Sequence, residues 1–157
     1  MLGKILEIEV VTSIKLGNVG KMKGSNDSQL GFVQIVNALC GYGAYDGYKI
    51  KTEKHEFYIL IDNGQSCCED WGYFYLNDDE KEFIGSELLE VNLTDKALSK
   101  EKVEESGYYE WEGGIQFVDF VTDKGVLQFA VYNAHNGYYG HSIIFAKDEE
   151  IFYQDTL

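Results

Sequence analysis

The last third of the chain limits the fold most strongly. Residues 115–121 and 126–132 are two apolar runs rich in Val, Phe and Tyr, separated by Thr122-Asp123-Lys124-Gly125. β-Branched and aromatic side chains suit a pleated, half-buried surface. A short polar link ending in glycine closes two such runs into a hairpin. A second polar link, Asn133-Ala134-His135-Asn136-Gly137, leads to a third run at 143–146. Consecutive strands usually pair, so this region reads as a meander.

Similar signals recur upstream. Leu6, Ile8 and Val10 alternate with Glu7 and Glu9, the pattern of a strand with one buried face. Strands are expected at 48–52 and 56–61, the second closed by Asp62-Asn63-Gly64, and at 88–93. Proline is absent, so the 17 glycines must supply the turn chemistry. Residues 17–28, rich in Gly, Ser, Asn and Lys, read as a loop. Asp27 or Ser28 then caps a helix to about Leu39, with Leu30, Val33, Val36 and Cys40 on one face beside Phe32, Ile35 and Leu39, ended by Gly41 and Gly43. Asp78 or Asp79 caps a short helix ending at Gly85, and the charged stretch 94–107 reads as a surface excursion or a frayed helix. The expected fold class is α+β: a mainly antiparallel β-sheet, built as a meander of hairpins, with one longer and one short helix packed on it. At 157 residues, without repeats or low-complexity linkers, the chain reads as a single domain over 1–157, with an N-terminal strand, loop and helix in 1–46.

A formal net charge of −14 opposes nucleic-acid phosphates and anionic membranes. The one basic-leaning stretch, around Lys15, Lys21 and Lys23, is sparse. The N-terminal apolar run is too short and acidic for a signal peptide, and no stretch reaches the length of a membrane span. Three cysteines, two of them adjacent, are not a secreted disulfide framework. A cytoplasmic protein is expected. Cys40 reads as a buried small hydrophobe, His55 as solvated within Glu53-Lys54-His55-Glu56, and Tyr108-Tyr109 before Trp111 as an aromatic patch or strand edge.

Two segments stand apart from routine strand and turn composition: Ser66-Cys67-Cys68-Glu69-Asp70-Trp71-Gly72, and the stretch from Tyr132 to His141. Cys67, Cys68, His135 and His141 are donors of the kind zinc prefers, although paired zinc cysteines are usually two to four residues apart. Cys67 or Cys68 beside His135 or His141, oriented by Glu69 or Asp70, has the residue types of a nucleophilic site. A strongly acidic background, however, raises a thiol pKa rather than lowering it. The third reading is a structural clasp: a tight turn at Asn136-Gly137, Tyr138 and Tyr139 packed on Trp71, and Glu69 accepting hydrogen bonds. The candidate binding surface is therefore Cys67, Cys68, Glu69, Asp70, Trp71, His135, Asn136, Tyr138, Tyr139 and His141. No catalytic residue is assigned, and no cofactor is expected, zinc being the one candidate.

The same residues carry a resemblance. Cys67-Cys68-Glu69 with Trp71-Gly72, Phe83-Ile84-Gly85 with Leu88, an aromatic strand before Thr122-Asp123-Lys124-Gly125, and Asn136-Gly137-Tyr138-Tyr139 resemble an uncharacterised domain-of-unknown-function family of Gram-positive bacteria and their phages. The resemblance spans about residues 47–146 and implies a β-rich fold rather than an activity. The leading functional expectation is a non-enzymatic acidic module that binds a protein partner, of the kind a phage or mobile element uses as an accessory factor or as an inhibitor of a basic, nucleic-acid-binding defence protein. No direct nucleic-acid or membrane contact is expected, and the sequence sets no oligomeric state. The alternative is a small metal-binding or cysteine-dependent enzyme built on the Cys67-Cys68-Glu69 and His135–His141 segments.

Overall fold

The computed structural model describes residues 1–15, 44–64, 70–106, 108, 114–134, 140–148 and 150–157. Nine strands form among them: β1 (Ile5–Lys15), β2 (Ala44–Thr52), β3 (Glu56–Asp62), β4 (Trp71–Tyr75), β5 (Leu88–Thr94), β6 (Gly114–Thr122), β7 (Gly125–Asn133), β8 (Ser142–Lys147) and β9 (Glu150–Thr156). They make two antiparallel sheets, one in the order β1-β2-β3-β8-β9 and the other β4-β7-β6-β5.

The sheets face each other across one apolar core. Ile50, Phe57, Ile59, Ile143 and Phe145 project from the five-stranded sheet, and Val118, Phe120, Leu127, Phe129 and Val131 from the four-stranded one. The period-2 alternation that marks these strands in the sequence selects these residues. Phe120 meets Phe57 and Phe129 edge-on at 5.3 and 5.4 Å, the preferred geometry for aromatic quadrupoles.

Both outer faces carry smaller apolar clusters. Tyr45, Leu60, Ile144 and Ala146 are buried on the back of the five-stranded sheet. On the back of the other, Leu76, Phe117 and Ala130 are covered by Ala97 and by Val103 of helix α1 (Lys100–Glu105). The buried Gln128 amide fastens this cover. It donates to the Lys96 carbonyl at 2.9 Å and to Asp119 at 2.7 Å, and accepts from the Leu98 amide at 2.7 Å. At one corner the N-terminal residues lace the sheets together: Leu2 N–H donates to Leu88, and Leu88 N–H to Gly3.

The α+β expectation is overturned. The described residues are mostly antiparallel sheet, and helix is confined to α1 and one 3-10 turn, Glu80–Phe83. That turn stands where the short helix was expected. Asp79 caps it through the Lys81 amide, but extended backbone at Ile84 and a φ of +87° at Gly85 stop it after four residues. The longer helix expected at 28–39, the loop expected before it and Cys40 lie outside the described residues.

The meander also fails. β7 already pairs with β4 and β6, so both its edges are occupied. β8 crosses to the other sheet, between β3 and β9. β1 departs from simple alternation as well. A bulge between Ile5 and Glu7 leaves Leu6 49% exposed, Ile5 takes the buried position, and Val10 is 58% exposed. The hairpins β2–β3 and β6–β7 form as expected, the second turning through Asp123-Lys124.

Candidate functional site

The two segments singled out in the sequence meet at their stems. Trp71 of β4 lies opposite Asn133 of β7, and the Ala134 amide donates to the Asp70 carbonyl at 2.7 Å. His141, just before β8, stacks on Trp71 with ring centroids 5.3 Å apart and planes 28° from parallel. Its Nδ1 lies 2.8 Å from the Asp62 backbone oxygen. A carbonyl can only accept, so Nδ1 carries the proton. The His141 and Leu157 backbones exchange two hydrogen bonds, and Asn133 Nδ2 donates to the Leu157 oxygen at 3.0 Å. His141 and Asn133 are both buried.

Aspartate, histidine and serine are adjacent here, but their contacts among the described residues are not those of a catalytic relay. Ser142 shares the strand face of Ile144 and Ala146, opposite to His141, and its buried hydroxyl has no hydrogen-bond partner among the described residues. The His141 proton is given to a backbone carbonyl rather than to a carboxylate. Asp62 itself accepts from the Gly64 amide at 2.7 Å, an Asx turn that ends β3. The described part of the junction thus fastens the ends of five strands, β3, β4, β7, β8 and β9, around a stacked Trp–His pair. Of the expected binding surface, Asp70, Trp71 and His141 are brought together. Cys67, Cys68, Glu69, His135, Asn136, Tyr138 and Tyr139 lie outside the described residues, as do three of the four candidate zinc ligands. Among the described residues no three His, Asp or Glu side chains converge as a metal cluster would.

A second feature escaped the sequence reading. β4 carries Tyr73 and Tyr75, which meet Tyr48 of β2 edge-on at 5.4 and 6.3 Å. Burial, together with the two neighbouring tyrosines and Glu80, pushes the Tyr48 hydroxyl well above its ordinary pKa. Burial and the Asp46 charge raise Tyr73. A hydrogen bond to Glu80 is the largest influence raising Tyr75, followed by burial and the charges of Glu80 and Asp79. The strip is therefore aromatic with a carboxylate rim. Asp46 is held in place by the Ser13 amide at 2.8 Å and Asn63 Nδ2 at 3.0 Å. Residues 71–75 show no alternation of burial, every one being half-buried, so the usual strand signal was missing.

Two smaller expectations are corrected or refined. His55 is not simply solvated: its Nδ1 lies 2.9 Å from Asp148. Partial burial alone would raise the Asp148 pKa, but the Glu56 amide and the His55 imidazole outweigh it and hold the carboxyl below its ordinary value. Tyr108 is half-buried, its ring 6.0 Å from that of Tyr132, while Tyr109 and Trp111 lie outside the described residues. No helix among the described residues is long and apolar enough to cross a membrane.

No curated protein and no solved structure significantly matches the chain. A family match does exist, and it reaches further toward the N-terminus than residue 47, where the sequence resemblance began. Over residues 1–145 the sequence matches the Domain of unknown function family DUF7448, and the chain belongs to that family.

Proposed function

We propose that this chain is a non-enzymatic, acidic protein-binding module of the cytoplasm, and that its partner is a basic protein whose own ligand is nucleic acid. The observation that carries the reading is the charge: Asp and Glu number 27 against 13 Lys and Arg in 157 residues. Such a surface is repelled by phosphates and attracted to the grooves that bind them. Phages and mobile elements of Gram-positive bacteria are the setting in which we place it, on the combination of Cys67-Cys68-Glu69, Trp71-Gly72 and Asn136-Gly137-Tyr138-Tyr139. An inhibitor that occupies a defence protein's nucleic-acid groove is the most specific form of this reading.

The test is capture from a bacterial lysate on immobilised protein at low and high salt, with and without competing DNA. Basic nucleic-acid-binding proteins, released by salt and displaced by DNA, are the expected catch. Failure to retain any such protein at low salt removes the reading.

A further inference from the structure

The sheets have four edge strands among the described residues, and they are not alike. β1, β5 and β9 each carry a bulge, between Ile5 and Glu7, Leu88 and Glu90, and Phe145 and Ala146 opposite β9. Bulges twist an edge away from new partners and are a common protection against unwanted strand pairing. β4 has none. It pairs with β7 in unbroken register from Trp71 to Tyr75, and its sequence Trp-Gly-Tyr-Phe-Tyr contains no charged residue to guard the edge. Five residues is an ordinary strand length, enough to template a neighbour.

The ground beside this edge has a definite chemistry. Tyr73 and Tyr75 lie against Tyr48 of β2; β2 pairs with β1, which is also an edge strand, and Val10 of β1, opposite Tyr48, is 58% exposed. The carboxylates acting on these tyrosines are Asp46 at one end and Glu80 at the other. Asp46 is pre-positioned by the Ser13 amide and the Asn63 side chain. Tyrosine faces with carboxylates nearby suit an ammonium or guanidinium group, which gains from the ring quadrupole and from the negative charge. A second copy of this chain would set the same acids against each other, so charge argues for a cationic occupant.

We propose that the flank between β1 and β4, open among the described residues, docks a basic, extended segment of a partner protein, which adds a strand to β4 and sets Lys or Arg side chains over Tyr73 and Tyr75. Backbone hydrogen bonds to β4 supply affinity, while the acid-rimmed tyrosines select positive side chains. The inference locates the site of the function proposed above and rests on that reading for the sign of the partner's charge.

The experiment uses the full chain and a short labelled peptide alternating Lys or Arg with Val or Thr, beside a peptide of the same pattern with Glu in place of the cations. Anisotropy should show salt-sensitive binding of the basic peptide alone. Amide chemical shifts should move along 71–75 and at Val10. Glu80→Lys should weaken binding about tenfold, whereas Glu101→Lys, the same charge change on α1, should leave it within about twofold. Shifts confined to β5 or β9, equal effects of the two reversals, or tight binding of the acidic peptide would overturn this site while leaving the basic-partner reading to the lysate capture. No binding of the basic peptide at low salt overturns the site outright. Because the shift map is read on the unmodified protein, the outcome does not depend on the variants folding.

Discussion

Gly47 offers the sharpest test of the described packing. It sits in β2 opposite Leu60 of β3, with a φ of +154°. A Cβ there would lie 1.9 Å from the Ile59 carbonyl oxygen, 2.9 Å from its carbon and 3.1 Å from Leu60 Cα. These are backbone atoms in the middle of a sheet, so no side chain can swing aside. Gly85 is the natural control, because its φ is also positive, at +87°, yet a Cβ there meets nothing within 4 Å. Gly85→Ala carries only the conformational penalty, about 1–3 kcal/mol. Gly47→Ala adds overpacking of about the same size, for a total of about 2–6 kcal/mol against a folding stability of about 5–15 kcal/mol. Urea unfolding followed by tryptophan fluorescence gives both values on one scale, provided the slopes agree. In thermal melts Gly47→Ala should lower Tm by about 10 °C, and Gly85→Ala by about half of that or less. Equal losses in the two variants would show that the β2–β3 contact is not as close as described.

His141→Phe keeps a ring against Trp71 but removes the donor to the Asp62 carbonyl, so it should cost about 1–3 kcal/mol in urea unfolding. A loss below about 0.5 kcal/mol would mean that the hydrogen bond is not made. Asp148→Asn tests the His55 pair by charge alone, since asparagine tolerates the left-handed backbone at φ +57°. The native carboxyl titrates below its ordinary value of 3.8, so its contribution is present above that pH and fades as pH falls through the lower folded value. With the Asp148 side chain 45% exposed, the wild-type advantage should be only about a few tenths of a kcal/mol at neutral pH. It should vanish in acid, and an advantage that grew toward acid would refute the assignment.

What the sequence makes legible is what depends on near neighbours along the chain. The β6–β7 hairpin follows from two apolar runs and the four-residue link Thr122-Asp123-Lys124-Gly125, and the Asp79 cap follows from an acid placed just before Glu80. Pairing at a distance is a different matter. Nothing local to Asn133–His141 reveals that β4, far back in the sequence at Trp71–Tyr75, has taken the free edge of β7, so β8 looks like its next neighbour. β9 was missed because Glu150, Gln154 and Asp155 dilute its apolar residues, and a bulge breaks their alternation. At the candidate site, unusual residue types marked out the two segments, and their stems meet at Asp70, Trp71, Asn133, Ala134 and His141. The partner of His141 was not, since it is a backbone oxygen and any residue type could have supplied it.

The charge that motivates the functional reading also acts on the fold, and salt separates the two effects. Lys49 lies between Glu9 at 3.8 Å and Glu56 at 3.6 Å, and Lys102 between Asp78 at 3.7 Å and Glu105 at 3.9 Å. Burial alone would lower the Lys49 pKa, but Tyr58, Glu56 and Glu9 prevail and hold it above its ordinary value. Even with each of these cations shared by two acids, a net charge of −14 leaves the compact state working against its own repulsion. Raising the ionic strength to about 0.1 M shortens the screening length to about 10 Å, less than the width of such a domain. Added salt should therefore raise the urea midpoint of the free protein. The same salt should weaken docking of a basic segment at β4, because that attraction is also between exposed charges. Opposite signs in the two measurements are the expected result. A midpoint that fell as salt rose would mean that attractive pairs such as Lys49–Glu56 outweigh the surplus of acid, and charge would then no longer single out a basic partner.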